Sequence, residues 1–327
     1  SNTLIIKRLT ENKNQEVFMM KKGQSSILLH EYFKQWIFLY KKGAVRDVTM
    51  RKYLMTLKHL QHLAPETKLL ALDRKEYQKL LNDFAETHER QTTMDFHHQL
   101  KGAILDAIDD GLLNRDPTRK VVIKGKEASS KKTKYLNQCE LQKLIARLEL
   151  NEEINFDWLI MLIAKTGLRF SESLAITPED FDFSNQVLNI SQTWNYKSPI
   201  GGFQPTKNKS SIRKIQMDWR TAMQFATLIK NLPQNEPIFV RGRIFNSTIN
   251  DKLESYCADV SIPIISVHGL RHTHASLLLY AGVSIASVAR RLGHANITTT
   301  QHTYLHIIQE LENKDNNKII NYLSGLY

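Results

Sequence analysis

The sequence predicts a mainly α-helical chain with a small β-sheet, an α+β architecture in two units. Three observations predict it. Four apolar stripes at helical spacing precede Pro117. A basic stretch from Thr118 to Tyr135 then interrupts the periodic pattern. Beyond it, two short strand-like runs, Val187 to Ser191 and Ile212 to Met217, stand among further helical stripes and read as antiparallel neighbours.

The elements follow in order. Leu28, Tyr32, Phe33, Trp36, Ile37 and Tyr40 mark a first helix. Thr49 is placed to cap a second, with Tyr53, Leu54, Leu57 and Leu60 as its stripe and Pro65 beyond its end. Tyr77, Leu80, Leu81 and Phe84 mark a third, and Leu100, Ala103, Ile104, Ala107 and Ile108 a fourth, closed by Gly111. Seven basic residues follow in the interrupting stretch: Arg119, Lys120, Lys124, Lys126, Lys131, Lys132 and Lys134. Glu127 is the one acid there, and the stretch reads as a solvated linker whose cations can lie along phosphates. Asn137 is placed to cap a helix carrying Leu141, Leu144, Ile145 and Leu148. Trp158 to Thr166 reads as a buried helix, Ala222 to Lys230 as another, and three or four more run from Asn250 to about Asn313.

Composition narrows the function. Apolar residues make up 42% and charged residues 24% of 327 residues, the balance of a globular protein with a sizeable core. Two cysteines exclude a disulfide framework and a cysteine-rich zinc module. No apolar run approaches the ~20 residues that span a bilayer. Lys and Arg exceed Asp and Glu by 45 to 33, a net charge of +12 that favours a polyanionic partner, nucleic acid ahead of membrane.

Three segments set polar groups beside apolar helices. In Thr166-Gly167-Leu168-Arg169-Phe170-Ser171-Glu172, Gly167 breaks a helix and Arg169 sits at the junction. Its planar fork suits a phosphate, with Glu172 to orient it; the plain alternative is a structural Arg–Glu pair. In His268-Gly269-Leu270-Arg271-His272-Thr273-His274, His268 and Arg271 share a helix face. His268 and His272, four apart, also raise a two-histidine metal site, but the Glu of the H-E-x-x-H pattern is missing. His272 and His274 read as packing or hydrogen-bonding residues. In Leu292-Gly293-His294, Gly293 ends a helix and His294 lies at the turn, with Asn296 or Thr298 to cap the next helix and Tyr304 on it.

Read together, these segments resemble the tyrosine recombinase (phage integrase) family. That family carries a T-G-L-R-x-x-E box, an H-x-L-R-H box, an L-G-H box and a tyrosine about ten residues further on. The matching stretches are Thr166–Glu172, His268–His272, Leu292–His294 and Tyr304, in the family's order. A K-T-x-x-S-x-R hairpin supplies the family's catalytic lysine. Here the stretch runs Lys207-Asn208-Lys209-Ser210-Ser211-Ile212-Arg213, with Asn208 for the usual Thr, and Lys209 close enough to compete with Lys207.

The resemblance implies an N-terminal SAM-like helical core-binding domain and a mixed α/β catalytic domain that clamp duplex DNA. It divides the chain into an extension or remnant of an arm-binding domain (1–24), the helical DNA-binding domain (25–116), the basic linker (117–135), the catalytic domain (136–311) and a tail (312–327). It implies that Tyr304 attacks a scissile phosphate to give a 3′-phosphotyrosyl link. Arg169 and Arg271 would stabilise the transition state, Lys207 protonate the leaving oxygen, His268 act as base or acid, His294 bond a phosphate oxygen, and Glu172 support the arginines. No cofactor and no metal are implied. The partners implied are double-stranded DNA, three further copies of the chain in a tetramer on DNA, and accessory DNA-bending or directionality proteins. The enzyme would work in the bacterial cytoplasm, at the nucleoid, to integrate and excise a phage or other mobile element. The alternatives are a host recombinase that resolves chromosome dimers, a DNA-binding regulator that has lost cleavage, and a metal-dependent nuclease. Apolar residues beyond the tyrosine, among them Ile307, Ile308, Ile319, Ile320, Tyr322 and Leu323, suit docking on a neighbouring subunit or in cis.

Overall fold

The computed structural model describes residues 27–127 and 135–325. The segment 1–24 and the linker lysines Lys131, Lys132 and Lys134 lie outside the described residues. The chain divides into two compact units, 1–131 and 132–327. Among the described residues, no helix is long and apolar enough to cross a membrane.

The first unit is built on four helices: α1 (Leu29–Trp36), α2 (Asp47–Leu63), α3 (Arg74–Ala85) and α4 (Arg90–Asp109). Their stripes meet in one core that includes Leu29, Phe33, Leu60, Tyr77, Leu81 and Leu100. Trp36 Nε1 donates to Asp106 at 2.6 Å and the Tyr32 hydroxyl to the Ala103 carbonyl at 3.2 Å, so polar tips of core aromatics stitch α1 to α4. Three details depart from the periodic reading. A π-helical turn, Ile37–Lys41, follows α1 and rotates Phe38, Leu39 and Tyr40 into solvent. The α2 helix starts at Asp47, so Thr49 lies inside it rather than at its cap; the acid in that first turn suits the helix dipole. And α4 begins ten residues before its apolar stripe, because the buried face there is carried by Thr93, Phe96 and His97. His97 is buried against the Tyr77 hydroxyl, 3.0 Å away.

The basic stretch is not wholly a free tether. Residues 118–126 are fastened to the first unit. The Asp116 carboxylate accepts from Thr118 N and Oγ1, Gln78 exchanges two hydrogen bonds with the Val122 backbone, and Lys126 N donates to the His88 carbonyl. Gly125 passes so close to α4 that a Cβ would stand 2.2 Å from Arg90 N, which only glycine permits. The solvated-linker reading fails here because Val121 and Ile123 pack on the helical core. Arg119, Lys120, Lys124 and Lys126 remain exposed. The first three line a groove of about 1670 Å³ with Arg74, Lys75 and Lys79.

The second unit opens with α5 (Gln138–Arg147), started by a reciprocal capping box between Asn137 and Glu140. Helix α6 (Phe156–Thr166) is buried on nearly every side and leads to the single turn α7 (Phe170–Ser173). Strands β1 (Phe181–Asp182), β2 (Val187–Ile190) and β5 (Arg213–Gln216) form an antiparallel sheet in the order β1-β2-β5, with Val187 facing Gln216 and Ile190 facing Arg213. Between β2 and β5 stands a second hairpin, β3 (Gln192–Trp194) and β4 (Phe203–Pro205). Helix α8 (Trp219–Leu228) follows. Five helices complete the unit where three or four were expected: α9 (Asn246–Asp259), α10 (Val267–Tyr280), α11 (Ile285–Leu292), α12 (Ile297–Thr303) and α13 (Leu305–Ser324). The break between α12 and α13 falls at Tyr304, so the tyrosine ends one helix and starts the next rather than lying within either. Ile307 is buried, whereas Ile319, Ile320, Tyr322 and Leu323 are exposed at the far end of α13.

Candidate active site

The site begins where α6 stops. Gly167 adopts the left-handed conformation at φ +70°, and a Cβ there would stand 2.7 Å from the His274 ring. This tight reversal puts Arg169 at the N-terminus of α7. Its backbone N–H donates to Glu172 at 2.9 Å and its Nη1 to the same carboxylate at 2.7 Å. Glu172 is 1% exposed and also receives Arg213 Nη2 at 2.9 Å and Nη1 at 3.2 Å. Burial alone would raise its carboxyl; the charge and hydrogen bonds of Arg213, then those of Arg169, outweigh burial and hold it below the ordinary range. One buried anion thereby orients two guanidinium groups. The Arg169 side chain is 34% exposed, so part of its fork faces solvent.

Arg271 reaches the same place from α10 but is only 3% exposed. Nη1 donates to the Gly167 carbonyl at 2.7 Å and Nη2 to the Leu292 carbonyl at 2.6 Å, tying the ends of α6 and α11 together. Both carbonyls belong to helix ends that lack intrahelical partners. Burial pushes the guanidinium down to about 9, still cationic at neutral pH. Nη2 also lies 3.1 Å from His294 Nε2. That nitrogen therefore accepts, and His294 Nδ1 carries the proton toward Thr300 Oγ1, 2.8 Å away. Burial, followed by Arg271 and Arg169, lowers His294 to about 4, so it is neutral at physiological pH. His268, one turn before Arg271, is lowered by burial and the same two cations.

Tyr304 closes the cluster. It is 2% exposed, with its hydroxyl 3.0 Å from His272 Nδ1. Burial raises the phenol to about 12, with Arg271 pulling the other way. Behind the cluster, Arg213 Nε donates to the Arg291 carbonyl at 2.6 Å, and Arg291 Nε donates to His274 Nε2 at 2.8 Å. His274 Nδ1 in turn faces the Ala164 carbonyl at 3.0 Å. Gly293, at φ +68°, lets this frame close, since a Cβ there would meet Arg213 Nη1 at 2.9 Å.

The structure thus gathers Arg169, Glu172, His268, Arg271, His294 and Tyr304 from positions up to 135 residues apart. Lys207 is not among them. It lies exposed between β4 and β5, with Lys209 two residues on in a 3₁₀ turn. Neither ammonium has a hydrogen-bond or ion-pair partner among the described residues. No group of three or more His, Cys, Asp or Glu able to hold a metal ion comes together among the described residues. Sequence reasoning passed over Arg213, Thr300 and Arg291. Arg213 was visible as the last residue of the hairpin motif, but its partner Glu172 is 41 residues away and only the fold joins them.

The model of the phage integrase family matches residues 134–310, over half of the chain. The chain belongs to the phage integrase family. It is 25% identical to the integrase of Staphylococcus phage L54a, over 90% of this chain and 93% of that protein. It is also 25% identical to the Tn916 transposase of Enterococcus faecalis, over 79% of this chain and 69% of that one. Among solved structures, the Tn1549 transposon integrase bound to a circular intermediate DNA has the same fold. Its TM-score is 0.73 at 18% identity, over 85% of this chain and 94% of that one. A lambda integrase dimer bound to a core site gives 0.65 at 15% identity, over 88% and 80%. The expected family, the mainly helical fold and the activity class are borne out: the chain is a tyrosine-type site-specific recombinase, an integrase.

Proposed function

We propose that this integrase cleaves and rejoins duplex DNA through Tyr304, to insert and excise a phage or other mobile element. What carries the reading is the convergence of two guanidinium groups and two neutral histidines beside one buried phenol. Tyr304 Oη attacks the scissile phosphorus, the bond to the 5′-oxygen breaks, and a 3′-phosphotyrosyl link holds the strand. The energy of the cleaved bond stays in that link, so a 5′-hydroxyl of a new partner strand reverses the step without ATP. Arg169 and Arg271 bind the non-bridging oxygens, where negative charge grows in the transition state. His294 is aimed by Thr300 and Arg271 to reach the same oxygens, and His268 stands beside them. The Lys207 ammonium gives its proton to the leaving 5′-oxygen, which requires the β4–β5 turn to meet the bound duplex. Glu172 acts on no reacting atom and positions Arg169.

The partner is double-stranded DNA, as in the DNA-bound relatives, and the enzyme acts as a tetramer on two sites in the cytoplasm, at the nucleoid. Accessory DNA-bending or directionality proteins are part of this reading. Arg119, Lys120, Lys124 and Lys126 supply exposed cations for phosphates, and Lys131, Lys132 and Lys134 add charge to the same linker. The exposed apolar end of α13 suits a neighbouring subunit.

The test is a pool of nicked suicide duplexes of randomised sequence. A covalent protein–DNA adduct is expected, its captured strands defining the site, and Tyr304→Phe abolishes it. Specific binding with no adduct on any recovered site would make the protein a DNA-binding regulator instead.

A further inference from the structure

A phenol that attacks phosphorus must give up its proton. Burial raises the Tyr304 phenol to about 12, so the hydroxyl keeps its proton at neutral pH and has it to donate. The nitrogen that faces it is His272 Nδ1, at 3.0 Å. In the tautomer with the ring proton on Nε2, Nδ1 offers its lone pair to that hydroxyl. His268 lies one turn earlier on α10 and meets His272 edge-on, with ring centres 4.7 Å apart and planes at 89°. Its surroundings differ: burial, then Arg271 and Arg169, lower the His268 imidazole. The family motif draws attention to His268, but the ring in contact with the nucleophile is His272.

We propose that His272 Nδ1, and not His268, takes the phenolic proton as Tyr304 attacks. The proposal rests on the recombinase reading above. The Oη–H bond breaks and its proton moves to Nδ1, while the Oη–P bond forms and the P–O5′ bond breaks. Lys207 protonates the departing oxygen. His272 ends the step as imidazolium and Lys207 as neutral amine, and rejoining returns both protons. Among the described residues, the charged and titratable groups beside His272 include His268 and Arg271 on its own helix, His294 from the end of α11 and Tyr304 itself. His268 is left to serve the phosphate.

The experiment is single-turnover cleavage of a nicked duplex carrying a 5′-bridging sulfur at the scissile phosphate. Its thiolate leaves without an acid, which removes Lys207 from the measurement. Wild type is expected to lose rate on the acid side of a pH profile, as His272 becomes protonated. His272→Asn keeps an acceptor near the Nδ1 position but cannot hold a proton. It is expected to bind DNA and melt like wild type, to cleave about 10²–10⁴-fold more slowly, and to lose the acid limb. His268→Asn is expected to keep that limb. Cleavage by His272→Asn within about threefold of wild type would show that a hydrogen bond suffices and would overturn the proposal. So would loss of the acid limb in His268→Asn alone. Should the Asn variant fold poorly, the wild-type profile still decides: a rate flat from the imidazole range downward rules His272 out. A wild type that forms no adduct breaks the recombinase reading and this inference with it; an active His272→Asn breaks only the inference.

Discussion

The buried arginine frame behind the site and the lysine turn in front of it handle charge in opposite ways. Glu172, Arg213, Arg271, Arg291 and His274 hold one another and the ends of α6 and α11 through hydrogen bonds that need no ligand. Lys207 and Lys209 project from an exposed turn with no partner for either ammonium among the described residues. Arg169 stands between the two: its inner face is tied to Glu172, and its outer face is open. A buried charge has to be paired to be tolerated, so the frame is rigid before any DNA arrives. An exposed ammonium is well solvated and can wait for a phosphate. The fold thus pre-positions the buried arginines and leaves the lysines for the substrate to recruit.

The largest effect is expected at Glu172. Glu172→Ala strands the buried Arg213 and loosens Arg169, so unfolding stability should drop by about 3–5 kcal/mol, read by urea denaturation. A loss below about 1 kcal/mol would mean the frame is not held by this anion. The same group sets an acid response. Its folded pKa lies below the unfolded value, so its contribution is present above the ordinary carboxylate range and is lost as pH falls through that range and below. Glu172→Gln should flatten that part of the stability–pH curve.

A smaller effect is expected at His274, lowered to about 3 by burial, then by Arg291. Below about 6.5 the unfolded chain takes up a proton that the folded chain refuses, so stability falls as pH drops from there toward 3. His274→Gln should remove its share of that slope, measured by melting temperature against pH. Smallest in stability is Lys207→Ala, expected within about 0.5 kcal/mol of wild type. Its effect falls on rate instead: cleavage of ordinary DNA drops about 10²–10⁴-fold and recovers on the 5′-bridging sulfur substrate. If Lys209→Ala shows that pattern and Lys207→Ala does not, the catalytic lysine is the other one of the pair.

Much of this was legible before the fold. The α3 stripe and the caps at Asn137 and Asn296 were readable because each depends on residues a few positions apart. The stops at Gly167 and Gly293 were equally local, whereas the expected pairing of β2 with β5 is not, since it spans the whole β3–β4 hairpin. The boxes that carry Arg169, His268, Arg271 and His294 were readable as compact strings. The π turn after α1 was not, since residues at helical spacing give no sign of an extra residue in the turn. Nor was the early start of α4, where polar Thr93 and His97 occupy the buried face. The docking of residues 118–126 depends on Gln78 and His88, more than thirty positions earlier.

By itself, the sequence determined the helical character, the two units, the family and the identity of the residues able to do phosphoryl chemistry, because residue type and short spacing encode these. Only tertiary structure decided that Glu172 serves Arg213 as well as Arg169, that Arg271 is pinned by two carbonyls, and that His272 is the ring touching Tyr304. Those contacts join residues 21 to 104 positions apart, and in several the partner is a backbone carbonyl that no side-chain pattern announces.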